Sequence, residues 1–304
     1  MGRIAVITDD PGWHGKRLRE AFASRGYTVS FLSLTTCRLN LHEETLPVVL
    51  PGFEEQLPEG VFVRGVPGGT LEQVVLYLDI LHALKMLGIP VYNDGQAIER
   101  TVDKGMTSFL IKQAGIATPP TWVLSDPDIA RSIAEREIQM GHSVVSKPLF
   151  GSQGNGLRRY DCLEDLTGFS DDQGVFYLQR YIHSGDSAHD FRVFVIAGKA
   201  VAAMKRCGLT WLNNVHQGAH CEPVHLEELR LCRLAEDAVR VLDMNYAGVD
   251  IIRDEHGRDA VLEVNSIPAW KGLQGVTEID IADRLVEDFL SRLAPRTTQS
   301  RCIQ

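Results

Sequence analysis

Two stretches of the chain, Asp190–Arg206 ("DFRVFVIAGKAVAAMKR") and Gly248–Asn265 ("GVDIIRDEHGRDAVLEVN"), read as hairpins of apolar strands that nevertheless carry charges. Side chains alternate between the two faces of a strand, so charged and apolar residues must sort by face. A turn at Gly198-Lys199 sets Ala197 against Ala200 and Arg192 opposite Lys205, with Asp190 on the same face. Opposed like charges destabilise a sheet unless something negative lies between them. A plain solvated sheet face is the other reading of those residues. In the second hairpin, a turn at His256-Gly257 sets Asp250 opposite Glu263, and Asn265 shares the face of Glu263. The neighbours Val249, Ile251, Val261, Leu262 and Val264 are apolar, which predicts buried strands. Two facing carboxylates there need a cation between them. A donor set of Asp, Glu and Asn oxygens suits magnesium or manganese rather than zinc. The Glu-x-Asn spacing holds in any register. The expectation is an antiparallel pairing in each hairpin, with the charges gathered on one face of the strands.

A second motif, "VVSKPLFGSQGNG" (Val144–Gly156), puts Lys147 at the end of an apolar strand and a glycine loop after it. Glycines let backbone N–H groups close on an anion without interference from Cβ atoms. The loop is neither a P-loop nor a dinucleotide-binding fingerprint, because the glycine spacing and the Gly-Lys-Ser/Thr ending are wrong. By itself it fits a hairpin turn as well as a phosphate clamp. Together with the cationic and acidic sheet faces, it describes a site for a nucleoside triphosphate with bridging metal ions, and makes Lys147 a phosphate ligand.

The first hundred residues alternate strand and helix. Strands are predicted at Arg3–Asp9, Tyr27–Leu34, Gly60–Gly65 and Ile89–Asp94, with a helix from Lys16 to Arg25. A second helix starts at the capping box of Thr70 and Gln73, with Leu71, Val74, Val75, Leu78 and Leu81 as its apolar stripe. This βαβ rhythm predicts a small open parallel sheet. Further on come a helix from Lys104 to Gly115, a compact α+β unit over 118–178 and an amphipathic helix over Leu226–Leu242. The net charge of −9 argues against a nucleic-acid binder. No apolar run approaches the length of a membrane span, and the N-terminus lacks a cleavable signal pattern, so a cytoplasmic protein is expected. The six cysteines form no Cys-x-x-Cys pair and the ten histidines no ligand cluster, so reduced cysteines are expected rather than disulfides or a zinc site.

The order of these motifs resembles the ATP-grasp superfamily, and within it the RimK-like amino-acid (α-L-glutamate) ligases. The similarity rests on "RTVDKGMTSFLIKQAGIATPPT", "VVSKPLFGSQGNGL", "LQRYI", the two hairpins, "NNVHQGA" and the "NSIPAWKGL" that follows. It implies an α/β protein with an α+β lid: a pre-ATP-grasp, Rossmann-like domain over 1–97, a central lid region over 98–178, a metal-bearing region over 179–293 and a tail over 294–304. The resemblance implies that Lys104 and Lys147 hold ATP phosphates, with Lys205 nearby, and that Gly151, Ser152, Gln153, Gly154 and Gly156 close over them. Gln179, Arg180 and Tyr181 would meet the adenine, and Asp190 the ribose side. Arg192 and Arg206 would stabilise the transferring phosphate, and Asp250, Glu263 and Asn265 would carry two magnesium ions, or manganese. The chain departs from the usual linker in having Arg180 where an acidic residue is common, and "WLNNVHQG" lacks the usual Arg before the loop asparagine.

The implied reaction joins a carboxylate to an amine through an acylphosphate. Substrate contacts are sought in loops at the carboxyl ends of the first-domain strands. Trp13 and His14 follow the first strand and Arg64 another, while Asn213, Asn214, His216 and Lys271 lie in loops of the second half. Trp13 fits packing as well as stacking. Three functions follow: a ligase adding an amino acid, glutamate foremost, to a small-molecule carboxylate such as a C1-carrier coenzyme; a RimK-type modifier of a protein tail; and a non-catalytic nucleotide-binding module. A homo-oligomer is compatible with each.

Overall fold

The computed structural model describes residues 2–42, 46–151, 156–169, 174–185, 188–208, 211 and 220–293. Two compact units emerge, one formed by 1–94 with 282–304 and the other by 95–281. The segment 179–293 is thus divided, because its last helix belongs to the first unit.

In the first unit, strands β1 (Gly2–Ile7), β2 (Tyr27–Leu32), β3 (Arg38–Leu39), β4 (Val48–Val49), β5 (Gly60–Val63) and β6 (Val91–Tyr92) accompany helices α1 (Gly12–Ala23) and α2 (Leu71–Met86). Four of the strands make the expected parallel sheet, in the order β2-β1-β5-β6. The helix Ile281–Ser291 packs Phe289 edge-on against Phe22, Phe62 and Tyr92. It is tied down by Arg25–Asp283 and by the Tyr92 hydroxyl on Asp288 at 2.7 Å. The capping box of Thr70 and Gln73 starts α2 as predicted. Its expected stripe overlaps its buried face only at Leu81, with Val74 and Leu78 half-buried. Tyr77, Ile80, Leu81 and Leu84 are buried, whereas Leu71 and Val75 face outward. The helix is apolar on most sides, so periodicity alone could not choose the inner one.

The second unit opens with α3 (Gly95–Val102) and α4 (Lys104–Gln113). The α+β unit then follows as β7 (Thr121–Leu124), α5 (Pro127–Gln139), β8 (Val144–Lys147), β9 (Arg158–Tyr160) and β10 (Phe176–Arg180). Its sheet runs β7-β10-β8-β9, with Val144, Phe176 and Leu178 against Ala130 of α5. Next come β11 (His189–Ile196), β12 (Lys199–Cys207), β13 (His220–Val224), α6 (Leu229–Val241), β14 (Tyr246–Arg253), β15 (Asp259–Asn265) and α7 (Lys271–Gln274); the helix Ile281–Ser291 is α8. The antiparallel sheet β13-β12-β11-β14-β15 buries one face, including Phe191, Val193, Val249 and Val264, against α6. Its other face carries the charges.

Both hairpins form, but the first one differs in register from the expectation. Its turn lies at Ala197-Gly198, both with positive φ (52° and 72°), and a bulge follows beside Phe194/Val195. Arg192 consequently pairs with Met204, and Asp190 with Arg206. Lys205 pairs with Phe191, on the face opposite Arg192, so the predicted Arg192–Lys205 opposition does not exist. In the second hairpin Asp250 does lie opposite Glu263, and Asn265 opposite Gly248.

Candidate active site

The charged face is organised as a chain of alternating charges. Arg192 donates from Nε and Nη2 to the two oxygens of Asp250, both at 2.7 Å. Arg206 donates from Nε and Nη2 to the two oxygens of Asp190, again at 2.7 Å, and its Nη2 also reaches Asp250 at 3.0 Å. Strand pairing produces this pattern, since Arg192 lies between Met204 and Asp250 in the sheet and Arg206 faces Asp190. Burial opposes the charge of Asp250, yet the two guanidinium groups hold its pKa down at about 2. Burial also opposes the Arg206 charge, but Asp250 and Asp190 more than offset it and hold the guanidinium above its ordinary value. For Asp190 burial wins, and its carboxyl is pushed upward against the pull of Arg206. The negative charge that Arg192 requires is therefore supplied by the chain's own Asp250.

Glu263 is placed differently. Among the described residues it makes no hydrogen bond, but its carboxylate acts on Lys104 and Lys147, favouring their charged forms. Burial is the larger effect and lowers the pKa of both lysines. Lys104 begins α4, whose N-cap is Asp103, and its ammonium donates to the carbonyls of Leu149 (3.2 Å) and Gly151 (2.8 Å). It thus grips the near end of the glycine loop. Gly156 at the far end has φ of 75°, and a Cβ there would lie 2.8 Å from Cγ of Pro148, so glycine is required. Ser152, Gln153 and Gly154 lie outside the described residues, as do Asn213, Asn214 and His216.

The linker residues separate by face. Gln179 is buried, accepts from Lys147 at 2.8 Å, and lies on the face of Tyr177 and Lys147. The side chain of Arg180 turns the other way, toward α5, where its Nη2 lies 2.7 Å from buried Glu137. Of Arg180 this leaves the backbone for the adenine contact that the resemblance implies, a contact that does not depend on its side chain. Arg159, which the sequence did not single out, pairs with Val145 and lies 4.0 Å over the Tyr181 ring. The alternation of β9 was readable, but three residues give too short a pattern to fix a face. In the first unit, Trp13 and His14 stand edge-on in the first turn of α1, 5.1 Å apart. They follow β1, and Arg64 follows the adjacent β5, so all three belong to the same end of that sheet. Lys271 is exposed at the start of α7.

Glu263 on the charged sheet face thus acts on two half-buried lysines, one of which holds the start of the glycine loop. Comparison with known proteins gives the class. Residues 101–289 match the RimK-like ATP-grasp domain and residues 2–98 the RimK PreATP-grasp domain. A tetrahydromethanopterin:alpha-L-glutamate ligase of Methanococcus maripaludis is 35% identical over 239 residues, covering 76% of this chain and 78% of that protein. A probable alpha-L-glutamate ligase of Aliivibrio fischeri is 31% identical, covering 98% and 99%. Among solved structures, the ATP-grasp ligase PsnB complexed with minimal precursor matches with a TM-score of 0.72 at 19% identity, covering 96% of this chain and 99% of that one. The chain belongs to the RimK-like ATP-grasp family. It is an ATP-dependent ligase that forms carbon–nitrogen bonds.

Proposed function

We propose that this ligase adds glutamate to the carboxylate of a small-molecule acceptor of the C1-carrier coenzyme class. The carrying observation is the charged face itself: Arg192 and Arg206 set on a rigid sheet, with Glu263 acting on both Lys104 and Lys147. The relative named as a tetrahydromethanopterin:alpha-L-glutamate ligase supports this acceptor class.

In this reading Lys104 and Lys147 bind the ATP phosphates, and the glycine loop covers them. The acceptor carboxylate attacks the γ-phosphate, giving an acylphosphate and ADP. The amine of glutamate then displaces phosphate and forms the amide. Arg192 neutralises charge on the transferring phosphate and on the tetrahedral intermediate, with Arg206 behind it. No protein nucleophile takes part, so positioning and preorganised charge supply the acceleration.

The donor set fits a magnesium-type ion. Asp250, Glu263 and Asn265 offer oxygen alone, share one face, and Glu263 has no competing hydrogen bond among the described residues. Asp250 accepts three guanidinium hydrogen bonds on its two oxygens, which leaves it one lone pair to give. Magnesium or manganese held there, as one ion or two, would supply charge neutralisation of the phosphates.

A protein tail as acceptor is the second reading; the probable alpha-L-glutamate ligases, similar over the full length, support glutamate as the added residue in either case. Incubation with ATP, magnesium, an amino-acid panel and candidate acceptors, followed by ADP release and product mass, tests both. Glutamate- and small-acceptor-dependent ADP release supports the first reading. A requirement for a protein tail replaces it with the second, and nucleotide binding without turnover across the panel removes both.

A further inference from the structure

We propose that Gln179 is a positioning residue that holds the Lys147 ammonium for phosphate binding, and that the hydroxyls of Thr121 and Tyr177 fix which way its amide points. This rests on Lys147 being a phosphate ligand.

An ammonium only donates, so the oxygen of the Gln179 amide must face Lys147, and it accepts at 2.8 Å. The amide nitrogen then points away and needs acceptors. Thr121 Oγ1 lies at 3.0 Å and Tyr177 OH at 3.2 Å, and Tyr177 OH is in turn 2.8 Å from Ser108 Oγ. Gln179 is 2% exposed and Tyr177 is 1% exposed, so water does not replace these partners. A flipped amide would set its N–H groups against the ammonium and its oxygen against Thr121 Oγ1, whose hydroxyl already donates to the Pro119 carbonyl at 2.9 Å. The relay is written into sheet register: Gln179 pairs with Thr121 on one side and Val145 on the other, and Tyr177 pairs with Lys147. Four elements, α4, β7, β8 and β10, thereby converge on one lysine. A long side chain anchored in this way loses its rotamer freedom before the nucleotide arrives.

The groups that face Lys147 set its charge. Burial lowers its pKa, Glu263 of β15 and Asp250 of β14 favour the ammonium, and Lys104 of α4 disfavours it. Tyr177 of β10 stays neutral, its phenol pushed upward chiefly by burial. Gln179 adds no charge, only a fixed acceptor.

Binding of ATP and AMP, measured by calorimetry without acceptor, tests the proposal. Gln179→Leu should weaken ATP by about tenfold or more, the scale of one lost hydrogen bond to a charged group, and AMP by less than about threefold. In a Lys147→Ala background the same substitution should change ATP binding by less than about twofold. Gln179→Glu, nearly isosteric, should stabilise the ammonium and move the alkaline limit of ATP binding to higher pH. Thr121→Val and Tyr177→Phe should each give smaller, ATP-selective losses. Equal losses for ATP and AMP in Gln179→Leu, an effect that persists without Lys147, or an unmoved alkaline limit in Gln179→Glu would overturn the relay alone. Full ATP affinity in Lys147→Ala would instead overturn the phosphate reading, and the relay with it.

Discussion

The two hairpins of the large sheet treat their charges in opposite ways. In β11–β12 the facing residues Asp190 and Arg206 neutralise each other through two hydrogen bonds of 2.7 Å. In β14–β15 the facing residues are both acids, Asp250 and Glu263. Asp250 escapes the conflict by borrowing Arg192 and Arg206 from the neighbouring hairpin. Glu263 does not, and directs its field at Lys104 and Lys147. Two carboxylates in one cross-strand pair are therefore unequal. Asp250 belongs largely to the framework that aims the arginines, and Glu263 to whatever ligand fills the space before it.

That inequality is broken most severely at Glu263. Glu263→Gln keeps size and removes one negative charge from the proposed metal set, so turnover is expected to vanish while the fold survives. Relief of the repulsion with Asp250 leaves no buried charge newly unpaired on this pair. Near-normal magnesium-dependent ADP release would take Glu263 out of the metal role. Next in size is Arg192→Met, which keeps much of the aliphatic stem and deletes the guanidinium. A loss of roughly 10²-fold or more in kcat is expected, the scale for one preorganised charge stabiliser. ATP affinity should fall much less. Because Asp250 loses one of its two cations, a lower unfolding midpoint is also expected. A collapse of ATP affinity with kcat preserved would make Arg192 a ground-state ligand.

The hairpins also differ in how far their sequences betray them. The face shared by Glu263 and Asn265 follows from the period of two and needs no register. The Asp250–Glu263 pair was legible because two deviations cancel: the tip pairs Arg253 with Asp259, one residue short, and a bulge beside Asp250/Ile251 restores the count. In β11–β12 they do not cancel. The turn sits one residue earlier than expected, at Ala197-Gly198, and the bulge returns only half of the displacement. Lys205 thereby changes face, and Asp250, not a ligand, becomes the partner of Arg192. Bulges arise from packing and twist across strands distant in sequence, and a single chain read locally does not reveal them. The parallel sheet of the first unit was legible because its strands are short apolar runs between turn signals. The buried face of α2 was legible only in part, at Leu81, since apolar residues surround that helix. Glu137, the partner of Arg180, was invisible because 43 residues separate them in the chain.

Lys147 probes the side of the site that Glu263 faces. Lys147→Ala should weaken ATP by about 1.5–3 kcal/mol, the worth of a hydrogen bond to a charged group, and AMP far less. Titration of the wild type with each nucleotide should show ATP binding decline toward alkaline pH before an ordinary lysine would lose its proton, because burial lowers this pKa. Equal losses for both nucleotides in the variant would assign Lys147 a structural role.

The smallest expected effect isolates Asp250 as framework. Its folded pKa of about 2 lies below the ordinary 3.8, so the unfolded chain binds the proton more readily. Stability from this group is present in full above about pH 4 and is lost as pH falls through 2, a contribution on the order of 2 kcal/mol. Asp190 works with the opposite sign, since burial raises its pKa and protonation there relieves a cost as pH falls. The two hairpins should thus respond oppositely to acid. Urea unfolding between pH 6 and pH 2, for wild type and Asp250→Asn, separates them. The asparagine variant should start less stable, because Arg192 and Arg206 lose a shared anion, and should then lose less on acidification than wild type. If both chains lose stability equally between pH 4 and pH 2, the guanidinium pair does not hold Asp250 down, and the division of labour between Asp250 and Glu263 falls.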